Sequence, residues 1–90
     1  MLDLFILLQT TAADVDVAQN WMKMGAAFAA ATAVFGAAWG IGKIGRTALE
    51  SIARQPEAAN DVRSSMIVAS ALIEGATFFA IVVCLLVLFV

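Results

Sequence analysis

The stretch Met66–Val90, MIVASALIEGATFFAIVVCLLVLFV, is uncharged over its twenty-five residues except for the carboxyl of Glu74. As a helix it spans about 37 Å at about 1.5 Å per residue, enough to cross a hydrocarbon core of about 30 Å with some tilt. Glu74 is therefore expected inside a membrane. An ionised acid there costs about 2.5–3.5 kcal/mol even on lenient insertion scales, so intramembrane acids usually mark ion paths. The role of this one side chain is the functional question the sequence raises.

The rest of the chain agrees with a lipid setting. Its 90 residues are 63% hydrophobic and 13% charged, whereas soluble domains are about 45–50% apolar and about 25% charged. The length allows two spans and a connection, so any larger machine has to be an oligomer. A net charge of −2 with scattered acids and no basic stripe implies no nucleic-acid partner. With no histidine and no acids at ligand spacing, neither a metal site nor a resident cofactor is expected. Cys84, the single cysteine, lies in the apolar run and reads as a small hydrophobe.

Upstream, Met24–Gly42 (MGAAFAAATAVFGAAWGIG) is a second uncharged run of nineteen residues, with Trp21 and Lys23 as interfacial anchors before it. Gly36, Ala38, Gly40 and Gly42 recur at every second position. A step of two turns a helix by about 200°, so Gly36 and Gly40 share one side, while Ala38, Gly42 and then Gly45 share the opposite one. Small residues let backbones approach closely in lipid. A helix smooth on two opposite sides suits two close neighbours, as in a closed ring.

Between the runs lies Lys43–Arg63 (KIGRTALESIARQPEAANDVR), the only charged block of any length. The helix is expected to continue to residue 53. Proline disfavours helix in the residue before it and lacks a backbone donor, so Arg54, Gln55 and Pro56 should turn the chain back. The division expected is thus an extension at residues 1–20, a first transmembrane helix at 21–53, a polar loop at 54–57 and a second transmembrane helix at 58–90. Lys43, Arg46, Arg54 and Arg63 surround the turn, which the positive-inside rule makes cytoplasmic, with both termini outside. The extension has a brief apolar run, Leu4–Leu8, preceded by Asp3, which is short and acidic for a cleaved signal.

ALESIARQPEA (residues 48–58), preceded by Gly36-x-Ala38-x-Gly40-x-Gly42 and followed by Glu74 eighteen residues after Pro56, resembles the proteolipid c subunit that forms the rotor ring of the F-type ATP synthase. The resemblance covers residues 22–90 and leaves 1–20 aside. It implies an all-α membrane protein: a two-helix transmembrane hairpin whose copies form a closed homo-oligomeric ring in the plasma membrane of a bacterium, first helices inside and second helices outside. In it Glu74 matches the ion-carrying carboxylate. Arg54, Gln55 and Pro56 match the loop that contacts the central-stalk subunits gamma and epsilon, and the ring turns against the a subunit of the stator. Membrane lipids surround the assembly, and the protein carries an ion without catalysing a reaction.

Two ions are weighed. Sodium-type relatives carry a glutamine at the position matching Ile41, hydroxyl residues at those matching Gly75 and Ala76, and a tyrosine where this chain has Phe79. Thr77 is the nearest hydroxyl left, and a small hard cation needs several oxygen ligands. A proton is the expected cargo, with the backbone carbonyl of Leu72 as acceptor for the protonated carboxyl. Symmetric pairing about the Glu57–Ala58 bond sets Ile41 level with Glu74 and Lys43 level with Leu72. Lys43 would then either reach toward the cytoplasmic side on its long stem or pair with Glu74. A structural, holin-like hairpin with an incidental Glu74 is the competing reading from another class. A membrane-embedded enzyme lacks a second catalytic group near Glu74.

Overall fold

The computed structural model describes residues 2–90. A helix α1 (Leu2–Arg54), a 3-10 turn (Pro56–Ala58) and a helix α2 (Ala59–Val87) form one hairpin. Both helices are long and apolar enough to cross a membrane. The Cα trace measures 82 × 16 × 6 Å, a flat ribbon with two broad faces.

The turn follows from Pro56. Gln55, held out of the helical region at φ −133° and ψ 76°, is the single residue between helical segments. Its amide still donates to the Ser51 carbonyl at 2.9 Å, closing the last turn of α1, and the Ala58 amide donates to the Gln55 carbonyl at 3.0 Å. Proline disfavours the helical region for the preceding residue and itself occupies the first position of the new turn, where a missing donor costs nothing.

Packing between the helices buries only Ala26 and Ala48 among the described residues. Phe28, Phe35, Trp39, Leu72, Phe78 and Phe79 all remain more than 60% exposed. Such a surface is unfavourable in water, and for helices of this length lipid is the medium that accepts it. Small residues bring the helices together. A Cβ placed on Gly40 would lie 3.5 Å from Ile73 Cδ1, which fixes the register of the two helices near the middle of α2.

Residues 2–20, set apart as an extension in the sequence, are helical and continuous with α1. No glycine or proline occurs before Gly25, and the hydroxyls of Thr10 and Thr11 donate back to the Ile6 and Leu7 carbonyls at 2.9 Å without disturbing the helix. The far end of α2 reaches only to Gln19, Met22 and Lys23, so the first part of α1 projects beyond its partner. At the other boundary α2 begins at Ala59, one residue later than expected, and ends at Val87 in a short turn.

Candidate functional site

Glu74 lies in the middle of α2, about 16 Å along the axis from Arg63. Its side chain opens into a groove of about 660 Å³ on one broad face, where Ala38 and Ile41 of α1 meet Gly75 and Phe78 of α2. Ile41 thus stands beside Glu74, as the loop-centred register requires. Glu74 is exposed and takes part in no hydrogen bond or ion pair among the described residues. One other side chain lining the groove is polar, Thr77. Its hydroxyl donates to the Ile73 carbonyl at 2.8 Å.

Gly36 and Gly40 lie on the opposite broad face, in a groove shared with Ala33, Ala76 and Ala80. Ala38 lies with Glu74. Gly36 and Gly42 have nothing within 4 Å of an added Cβ, so each leaves open space that no part of its own hairpin fills. Leu72 is 71% exposed and stands about 200° round α2 from Glu74, outside the groove that holds the carboxyl.

Lys43 follows Gly36 by seven residues and Gly40 by three, which puts it on their face of α1, away from Glu74. The two charges therefore form no pair. Nor does the lysine extend toward the turn. Its Nζ sits 5.8 Å from the centre of the Trp39 ring, one helical turn toward the middle of the span, within cation–π range. Trp39 in turn stacks on Phe35 at 6.4 Å between centroids. The spacing 35, 39, 43 signals this stack, because residues four apart on a helix are neighbours. The one ion pair among the described residues is Arg46–Glu50 at 3.6 Å, exposed and four residues apart. Arg54, Gln55 and Pro56 come together, all exposed, at the end of the ribbon remote from the C-terminal end of α2.

The family model for the ATP synthase c subunit matches residues 24–87, which include both helices, the turn and Glu74. The chain belongs to the ATP synthase c-subunit family. Among curated relatives, the ATP synthase c subunit of Bacteroides thetaiotaomicron is 59% identical over 86 residues, 96% of each chain. That of Phocaeicola vulgatus is 56% identical over the same share. The c subunit of Latilactobacillus sakei is 44% identical over 66 residues, covering 94% of that protein and 73% of this one. No solved structure matches the chain significantly. As a member of this family, the hairpin is a ring-forming transmembrane component of a bacterial ATP synthase. The coverage in Bacteroides takes in most of residues 1–20, which lie outside the family model.

Proposed function

We propose that this chain is the proton-carrying rotor subunit of an F-type ATP synthase, with Glu74 as the carrier. The observation that carries the reading is the isolation of Glu74: one carboxyl halfway along α2, in a groove whose other lining side chains are apolar apart from Thr77. A charged carboxyl is disfavoured in lipid, so Glu74 crosses the lipid-facing part of its path protonated. It ionises only where water or an opposite charge compensates, at the interface with the a subunit of the stator, where an arginine meets each carboxylate in turn. Loading and unloading at that interface tie rotation to proton passage. A charge crossing 100 mV gains about 2.3 kcal/mol, so several protons are needed for each ATP.

Sodium is the alternative cargo, and the groove argues against it. Ile41, Gly75 and Ala76 contribute no side-chain oxygen, leaving one hydroxyl where a hard cation needs several ligands. The Arg54–Gln55–Pro56 turn is assigned to the cytoplasmic side with both termini outside, and to contact with gamma and epsilon. Gly36, Ala38, Gly40 and Gly42 are assigned to packing between copies.

Dicyclohexylcarbodiimide, which attacks a protonated carboxyl in an apolar setting, tests the carrier. Mass spectrometry of membranes treated near neutral pH is expected to place the adduct at Glu74 alone, with no protection by added sodium. Glu74→Gln is expected to assemble and to abolish ATP-driven proton pumping. Labelling mainly at Glu50, Glu57 or Asp61 would overturn the assignment, and sodium protection at constant pH would reverse the choice of ion.

A further inference from the structure

A protonated carboxyl carried through lipid has one hydrogen to place, and leaving it without an acceptor is unfavourable. Ala38, Ile41, Gly75 and Phe78 offer no side-chain acceptor around Glu74. Thr77 does. It stands three residues on, about 60° round the helix from Glu74, at the seam between the two broad faces, where it borders the Glu74 groove as well as the groove of Gly36 and Gly40. The Leu72 carbonyl stands on the other side of α2.

The hydroxyl of Thr77 is also fixed in sense. Its hydrogen goes to the Ile73 carbonyl at 2.8 Å, leaving the oxygen lone pairs as its remaining hydrogen-bonding capacity. In that arrangement it can accept from a carboxylic acid and cannot donate to a carboxylate. Binding an ionised Glu74 would require it to give up Ile73. The partly buried site between the helices holds the hydroxyl in place.

We infer that Thr77 is the hydrogen-bond acceptor for protonated Glu74 and favours the loaded carrier over the empty one. This rests on the proton reading above and adds a positioning residue to it. No other ionisable side chain lines the groove from either helix, and Lys43 lies on the opposite face, so the effect belongs to the hydroxyl. The proton leaves when Glu74 meets a better partner for its ionised form, and Thr77 keeps its bond to Ile73 throughout.

Thr77→Val, which keeps the shape and removes the oxygen, is compared with Thr77→Ser, which keeps the oxygen, in the assembled complex in native membranes. Carbodiimide labelling of Glu74 is followed against pH, and native gels report ring assembly. Loss of one hydrogen bond is expected to weaken proton retention roughly three- to ten-fold, moving the pH of half-labelling down by roughly half to one unit in Thr77→Val. Thr77→Ser should retain the wild-type profile. Thr77→Ala provides the same comparison if valine disturbs assembly. An unchanged profile in assembled Thr77→Val and Thr77→Ala rings would overturn the inference and leave a backbone carbonyl as acceptor. Failure of the wild-type chain to label at Glu74 would instead remove the proton reading itself, and the role of Thr77 with it.

Discussion

Lys43 and Glu74 are the charges nearest the middle of the hairpin, and their separation onto opposite broad faces decides how each is compensated. An acid with a fixed cationic partner could not cycle, because the pair would hold the carboxylate ionised and block reprotonation. Trp39 gives the lysine an alternative partner that leaves Glu74 free. Lys43→Met keeps the long apolar stem and removes the charge. The expected outcome is wild-type carbodiimide labelling of Glu74 with the same pH profile, while Trp39 fluorescence changes in a Trp21→Phe background. An altered labelling profile would reveal a contact between the two charges across neighbouring copies. The sequence alone sets the level of Lys43 through the register, but the choice of an aromatic ring as its partner depends on side-chain placement that spacing does not determine.

At the scale of the helices, two uncharged runs and a proline turn are enough to read the hairpin from the sequence, because lipid permits few other solutions. The start of α1 is harder to read. Thr10, Thr11, Asp14 and Asp16 end the apolar pattern, and polarity there marks departure from the membrane without marking the end of the helix. The glycine pattern is legible as periodicity, and the structure separates its members by what each one meets. Gly40 faces Ile73 at a distance where one methyl fits, so Gly40→Ala should be tolerated within the hairpin. Gly36 and Gly42 meet nothing in their own chain. Leucine at either position therefore leaves the hairpin intact and raises helix propensity by about 1 kcal/mol. Circular dichroism of Gly36→Leu and Gly42→Leu should match the parent, while native gels of detergent extracts should show the ring replaced by smaller species. Intact rings in both variants would mean that neighbouring copies do not approach there.

Across the whole molecule the Glu74 groove and the turn lie at separate places along one ribbon. Eighteen residues of helix place Pro56 about 27 Å from Glu74, too far for any contact with the ion. The turn contains three exposed residues whose direction proline fixes, and its two backbone bonds close it without help from the side chains of Arg54 or Gln55. Those side chains are therefore free to meet a soluble partner. A turn that only closed the hairpin would tolerate a change of charge at Gln55, since the Gln55 amide and carbonyl make its bonds. Gln55→Glu with Pro56 retained separates docking from closure. The ring is expected to assemble and to conduct protons passively through the membrane sector, while ATP hydrolysis by the attached head should no longer acidify inverted vesicles. The added carboxylate alters the exposed surface of the turn without reaching Glu74, so carbodiimide labelling at Glu74 should stay at the wild-type level in the same membranes. Normal ATP-driven acidification by Gln55→Glu would show that the turn closes the hairpin and does not transmit rotation.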